Sequence, residues 1–161
     1  MSSRHAWFVD SSVILRAVVN GSSAAKTWFV HAVRDGDSFF GSRMLELEVR
    51  RVVRNGGGDQ SDADYYLEAF QFLSVTDDLI DTAIALPQPL GGADSLHVAT
   101  AMRLRPLPLT FVTHDAQQAR AIQAAGMFPV LDPVTDDENH SPVSGGEAQR
   151  ELGERGVVPP H

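Results

Sequence analysis

Residues 8–15, FVDSSVIL, decide the fold, because they join a short apolar strand to a capped helix. The apolar run covers residues 6–9, and Asp10 follows it with two serines that suit the start of a helix. A second unit of this kind, LTFVTHDA, occupies residues 109–116, and its helix is rich in alanine and glutamine and ends near Gly126. Each unit therefore places an aspartate just beyond the end of a buried strand.

Helix-like and strand-like segments alternate over most of the remaining chain. The spacing of apolar residues predicts helices at about residues 22–34, 43–54, 61–72, 77–85 and 93–104. Short runs of aromatic and β-branched residues predict further strands at about residues 37–40, 72–75 and 128–131. This alternation predicts an α/β fold with a mainly parallel sheet that helices cover on both faces.

Length and composition indicate one folded domain followed by a tail. The chain has 161 residues, of which 43% are hydrophobic and 21% charged, values typical of soluble globular domains. We expect a single domain at residues 1–135. Residues 136–161 are rich in proline, glycine and charge and lack aromatic residues, which predicts a disordered tail. Because no signal peptide or membrane-spanning apolar run is visible, we expect a cytoplasmic protein with no membrane partner.

The charge of the chain limits its partners and ligands. A formal net charge of -8 argues against a nucleic-acid partner, because affinity for phosphates comes mainly from Lys and Arg. Six acidic residues and two arginines after Thr135 carry half of this excess, and an acidic metal site would account for the rest. The sequence has no cysteine, so a bound metal must use oxygen or imidazole ligands.

Four acidic residues are candidates for such a site. Asp10 and Asp115 follow strands, and the carboxyl ends of parallel strands line the crevice where ligands bind. Asp94 opens a helix after two glycines, while Glu48 lies within the apolar arc of a predicted helix, where a carboxylate needs a partner or a pocket. The alternative for each aspartate is simple capping of a helix. For Glu48 the alternative is a salt bridge to a buried arginine or a tilt toward solvent.

We expect three neighbours of these acids to have other roles. Glu46 lies about 200° around the helix from Glu48, so we expect it to be solvated. His97 lies one turn after Asp94, and we expect it to pack or hydrogen bond beside the site rather than to bind a metal. We expect His114 to lie at the surface. The predicted apolar face of the Glu48 helix consists of Leu45, Val49, Val52 and Val53.

Four converging carboxylates would repel one another unless a divalent cation neutralised them. Mg²⁺ or Mn²⁺ suits oxygen ligands best. Such an ion activates water and stabilises the charge that develops on a phosphodiester, so the pattern favours hydrolysis of a nucleic-acid backbone.

The motifs that contain these acids resemble those of the PIN-domain ribonucleases, especially the VapC-type toxins of bacterial toxin–antitoxin pairs. The resemblance covers roughly residues 6–133. It rests on FVDSSVIL, on SRMLELEVRRVVR at 42–54, on GGADSLHVATA at 91–101 and on FVTHDAQQARA at 111–121. It implies a three-layer α/β/α fold with four to five short strands.

The resemblance also implies roles for individual residues and partners. It implies that the catalytic and metal-binding acids are Asp10, Glu48, Asp94 and Asp115, supported by Ser12 and Thr113, beside which we expect His97 to lie. The implied cofactor is Mg²⁺ or Mn²⁺, and the implied substrate is a structured RNA such as tRNA. The implied partners are a second copy of the chain and a cognate VapB-type antitoxin whose tail enters the acidic pocket. Candidates for contacts with RNA phosphates are Arg50, Arg51 and Arg54, with solvated helix positions as the alternative.

Other acidic phosphate-processing sites fit less well. A haloacid-dehalogenase-type phosphatase needs a second aspartate where Ser12 stands, and a receiver domain needs a late lysine, whereas the sole lysine is Lys26. The remaining alternative is a non-catalytic PIN-like module that binds RNA or protein.

Overall fold

The strand that begins the decisive sequence lies at the centre of a parallel sheet. The computed structural model describes residues 3–134. Within them the sheet has five strands in the order β3-β2-β1-β4-β5, and every neighbouring pair is parallel. The strands are β1 (Ala6–Val9), β2 (Ser38–Ser42), β3 (Phe70–Leu73), β4 (Leu109–Val112) and β5 (Val130–Leu131). The predicted parallel sheet of four to five short strands is confirmed.

Seven helices connect and flank these strands in the described part of the chain. They are α1 (Ser11–Val18), α2 (Ser23–Arg34), α3 (Arg43–Asn55), α4 (Gln60–Leu67), α5 (Asp77–Ile84), α6 (Gly92–Arg103) and α7 (Ala116–Ala124). α7 ends at Ala124, close to the predicted end near Gly126, whose φ of 61° suits a residue without a side chain. None of the helices between residues 3 and 134 combines the length and the apolar character needed to cross a bilayer.

Alternating residues of the central strands build a separate core on each face of the sheet. Phe8 and Phe111 lie in one apolar cluster with residues of α6 and α7. Val9 and Val112 lie in the other, with residues of α1, α2, α3 and α4. Because successive side chains of a strand point to opposite faces, two neighbouring apolar residues serve two cores. The three-layer α/β/α arrangement is therefore confirmed.

The boundary between α4 and β3 differs from the prediction. The helix predicted for residues 61–72 ends at Leu67, and the strand predicted at 72–75 begins at Phe70. Phe70 pairs with Phe39 of β2, so strand pairing overrides the helical spacing of the apolar residues. β2 likewise runs to Ser42, two residues beyond its predicted end. The predicted tail at 136–161 lies outside the described residues.

Candidate active site

Asp10 occupies the junction between β1 and α1 and is almost fully buried, with 2% of its surface exposed. Its carboxylate caps α1 by accepting a hydrogen bond from the backbone N–H of Ser12. The hydroxyl of Thr113 lies 2.6 Å from Oδ2 and donates to it. Burial raises the pKa of Asp10, although the charge of His97 and these hydrogen bonds act in the opposite direction. Capping thus describes one of the contacts of Asp10 and leaves the carboxylate at the edge of the sheet.

Asp115 occupies the equivalent junction between β4 and α7. It caps α7 by accepting a hydrogen bond of 2.9 Å from the backbone N–H of Gln118. Its own N–H donates to the hydroxyl oxygen of Thr113 at 3.0 Å. The backbone N–H of His114 donates to Ser12 Oγ at 2.9 Å. Thr113 and Ser12 therefore tie the ends of β1 and β4 together and hold the two aspartates at one edge of the sheet.

Glu48 reaches the site from α3, and both of its carboxylate oxygens accept hydrogen bonds. His97 Nε2 lies 2.9 Å from Oε1, and Ser11 Oγ lies 3.2 Å from Oε2. A carboxylate only accepts, so His97 donates from Nε2, and its Nδ1 lies within hydrogen-bonding distance of Ser42 Oγ, at 3.0 Å. Glu48 therefore has a histidine and a serine as partners, in place of the buried arginine considered as an alternative. His97 is 1% exposed and contacts the site as a support for Glu48.

Asp94 lies in the first turn of α6, where Gly91 is the cap and no side chain caps the helix. The capping alternative therefore does not describe Asp94. Burial raises the pKa of Asp94, and the negative charges of Asp115, Asp10 and Glu48 raise it further, against the opposite effect of His97. The fold thus brings carboxylates from four separate segments close enough for their charges to interact.

The chemistry of this cluster fits a hard divalent cation, although its side chains are not preset around one. All four ligand candidates offer carboxylate oxygens, the donors that Mg²⁺ and Mn²⁺ prefer. Within residues 3–134, however, no three acidic or histidine side chains stand close enough together to hold one ion. Both oxygens of Asp10 and of Glu48 accept protein hydrogen bonds instead. A bound cation would therefore need to displace some of these donors.

Comparison with known proteins shows the family of the chain. Residues 7–123 match the family model described as the PIN domain. The chain belongs to the PIN-domain family. Ribonuclease VapC47 of Mycobacterium tuberculosis (strain CDC 1551 / Oshkosh) is 26% identical over 113 residues, which make up 67% of this chain and 83% of that protein.

Solved structures share the fold of this PIN domain. VapBC2 from Rickettsia felis bound to a DNA fragment from their promoter gives a TM-score of 0.61 at 12% identity, over 79% of this chain and 98% of that chain. A toxin-antitoxin complex from Klebsiella pneumoniae gives a TM-score of 0.58 at 22% identity, over 78% of this chain and 96% of that chain. At such identities the similarity concerns the fold alone.

The expectation that Glu46 is solvated is wrong for this PIN domain. Its side chain is 19% exposed, less than the 30% of Glu48. Glu46 pairs with Arg43 at 2.8 Å and with Arg50 at 3.0 Å. Arg50 also pairs with Asp64 at 2.8 Å, because α4 packs against α3. The helical wheel separated the two glutamates correctly but did not reveal this ion-pair network.

Two further expectations about the surface are also wrong. His114 is only 18% exposed, since Nδ1 lies 3.1 Å from the carboxylate of Asp132, which follows β5. Val52, expected on the apolar face of α3, is 39% exposed. Among the candidates for RNA contacts, Arg51 and Arg54 are exposed, whereas Arg50 is engaged with Glu46 and Asp64.

Sequence reasoning missed three buried polar residues beside the acids. Ser11 and Ser42 support Glu48 and His97, and Gln118 is fully buried. The spacing from Asp115 to Gln118 matches a capping box, in which a glutamine follows the capping residue by three positions. That signal marks Gln118 as a residue with a structural role, but it does not reveal that its side chain turns toward Thr113.

Proposed function

We propose that this PIN domain is a divalent-metal-dependent endoribonuclease and the toxin of a toxin–antitoxin pair. The observation that carries the proposal is that Asp10 and Asp115 share Thr113 as a hydrogen-bond partner where β1 and β4 end, and the negative charges of Asp10, Glu48 and Asp115 raise the pKa of Asp94 beside them. Family membership and the similarity to a protein named as a ribonuclease support it. With this assignment, we propose that the substrate is RNA and that the protein acts in the cytoplasm.

In this proposal the four acids bind the cation and neighbouring polar residues hold them in place. Asp10, Glu48, Asp94 and Asp115 would hold Mg²⁺ or Mn²⁺, which supplies an activated water and stabilises charge on the phosphodiester. Thr113 and Ser12 fix Asp10 through hydrogen bonds, and His97 orients Glu48. The burial of Asp10 keeps bulk water from one side of the cluster and thereby strengthens electrostatic interactions there.

The surface near α3 supports the proposed RNA and protein partners. Arg51 and Arg54 are exposed and offer guanidinium groups to the phosphates of a structured RNA such as tRNA. Two exposed apolar side chains, Val19 at 54% and Val52 at 39%, line one cavity nearby. An apolar face of this kind suits an antitoxin segment or a second copy of the chain.

Cleavage of RNA by a variant of Asp94 tests the proposal. We expect the wild-type protein to cleave total tRNA in Mg²⁺ or Mn²⁺ buffer and to lose this activity in EDTA. Asp94→Asn should abolish cleavage while leaving the circular dichroism spectrum unchanged. Asp77→Asn is the matched control, because Asp77 is an exposed acid in the first turn of α5, and this variant should cleave normally.

The same experiment separates the enzyme from a binding module. Full cleavage by Asp94→Asn would refute the role given to Asp94. Binding of RNA by the wild type without any metal-dependent cleavage would favour a non-catalytic PIN-like module.

A further inference from the structure

Gln118 is a fully buried polar residue that connects the segments carrying three of the acids. Its backbone N–H donates to Asp115, as described above. Its side-chain Nε2 lies 3.4 Å from the carbonyl oxygen of Asp94, and its Oε1 lies 2.9 Å from the hydroxyl of Thr113. Because a carbonyl oxygen only accepts, the amide nitrogen faces Asp94 and the amide oxygen faces Thr113. Gln118 therefore presents an acceptor to the residue that holds Asp10.

Thr113 has one hydroxyl proton and three oxygen atoms within reach that could accept it in a hydrogen bond. Asp10 Oδ2 lies at 2.6 Å, Gln118 Oε1 at 2.9 Å and Ser12 Oγ, the most distant, at 3.4 Å. The Thr113 hydroxyl oxygen also accepts a hydrogen bond of 3.0 Å from the N–H of Asp115. The carboxylate is the stronger acceptor, since hydrogen bonds to charged groups are shorter and stronger than those to neutral amides. In the absence of a cation, the Thr113 hydroxyl therefore donates its hydrogen bond to Asp10.

A cation on Asp10 changes this preference. The positive charge withdraws electron density from the carboxylate and competes for Oδ2, which weakens that oxygen as an acceptor. Thr113 is fully buried, so no bulk water is available to its hydroxyl. A buried donor left without an acceptor is costly. When the cation weakens Asp10 as an acceptor, Gln118 Oε1 is close enough to accept the hydrogen bond of the Thr113 hydroxyl instead.

We infer that Gln118 is a positioning residue that accepts the hydrogen bond of the Thr113 hydroxyl when a cation binds Asp10, so that the carboxylate is released without leaving a buried donor unpaired. The inference rests on the proposed function, because it takes the acidic cluster to be a cation site. It explains why the hydrogen bonds seen around Asp10 need not prevent binding of a cation.

A double-mutant cycle in cation affinity tests the inference. The wild type, Gln118→Met, Thr113→Val and the double variant are stripped with EDTA, dialysed and titrated with Mn²⁺ by calorimetry. Methionine matches the length of glutamine but removes the amide acceptor. We expect Gln118→Met to raise the Kd for Mn²⁺ by about tenfold, the order expected for one stranded buried donor. In the Thr113→Val background, which has no hydroxyl proton, the same substitution should change the Kd by less than about twofold.

The outcomes separate the inference from the proposed function. Equal weakening by Gln118→Met in both backgrounds would mean that Gln118 acts only through its other contacts, which overturns the inference. Unchanged affinity in Gln118→Met also overturns it while leaving the cation site intact. If the wild type itself fails to bind Mn²⁺, the proposed metal dependence fails and the inference falls with it.

A second measurement needs no variant and remains available if Gln118→Met does not fold. The buried hydroxyl proton of Thr113 is followed by proton NMR in the wild type while Mg²⁺ is added. Transfer of its hydrogen bond from a carboxylate to an amide oxygen should move this resonance upfield. A resonance that stays in place or moves downfield as Mg²⁺ saturates would show that the hydroxyl keeps Asp10 as its acceptor.

Discussion

The two glutamates of α3 allow the proposed site to be tested with a matched pair of substitutions. Glu46 and Glu48 lie two residues apart on one helix, and both side chains are partly buried. Replacement by glutamine removes one negative charge in each case with little change in shape. We expect Glu48→Gln to reduce the cleavage rate strongly and Glu46→Gln to leave it nearly unchanged.

The contacts of Glu48 explain why its substitution should spare the fold. A glutamine at 48 still accepts from His97 through its oxygen, and its amide nitrogen can donate to Ser11 Oγ, so both hydrogen bonds survive. The free energy of unfolding should change by less than about 1 kcal/mol. The lost charge weakens attraction for the cation, and two unit charges 4 Å apart attract by about 4 kcal/mol at an effective dielectric constant of about 20. A loss of all of this attraction would slow cleavage roughly 1,000-fold, and solvent screening of the partly exposed Glu48 side chain reduces the expected slowing to about 100-fold.

The contacts of Glu46 lead to the opposite result. Its substitution removes ion pairs with Arg43 and Arg50, both on the same helix and both partly exposed. Pairs of this kind contribute about 0.3–0.5 kcal/mol each, so Glu46→Gln should cost about 1 kcal/mol at most. Cleavage should remain within about twofold of the wild type.

Both quantities are measured on the same preparations. Urea denaturation gives the free energy of unfolding, and single-turnover cleavage at a fixed Mg²⁺ concentration gives the rate. Similar rate losses in the two variants, or a larger loss in Glu46→Gln, would refute the assignment of Glu48 to the site.

Three further substitutions test the electrostatics, the support and the core of the domain. Burial and neighbouring negative charges raise the pKa of Asp94 in the folded protein, so the contribution of Asp94 to wild-type stability falls as pH rises from the ordinary aspartate value of about 3.9 through the raised one. Asp94→Asn lacks this loss. In EDTA, the free energy of unfolding of this variant relative to the wild type should increase across that pH window and then stay level up to pH 7, as measured by urea denaturation at each pH. A difference that is constant with pH would argue against a raised pKa of Asp94. His97→Phe leaves the hydroxyl of Ser42 without its partner and removes a hydrogen-bond donor to Glu48. It should therefore cost about 1–3 kcal/mol of stability and reduce the cleavage rate about 10–100-fold. Normal cleavage by this variant would contradict the supporting role of His97. Phe111→Ala opens a cavity in the core beside α6 and α7 and should lower the free energy of unfolding, measured by urea denaturation, by about 3–5 kcal/mol. A decrease of less than about 1 kcal/mol would show that this core is loosely packed.

Local sequence determined the layers of the domain and the positions of its candidate acids. Apolar runs such as residues 6–9 have no polar face, so they predict buried parallel strands, and an aspartate after such a run lies at the edge of the sheet. The helical period of α3 separated Glu48 from Glu46, because direction around a helix depends only on spacing along it. The four acidic positions in the predicted site remain a prediction from these local rules and from motif resemblance.

Tertiary structure alone decided which partners these residues have. α4 ends at Leu67 because Phe70 finds a strand partner in β2, a contact between residues about thirty positions apart. Glu46 is partly buried because α4 brings Asp64 to the arginine that also holds Glu46, and His114 is covered because Asp132 follows the edge strand. Gln118 turns its amide toward Thr113 and Asp94 for the same kind of reason. Periodicity and capping depend on near neighbours in sequence, whereas hydrogen-bond partners of buried polar groups depend on which segments the fold places side by side.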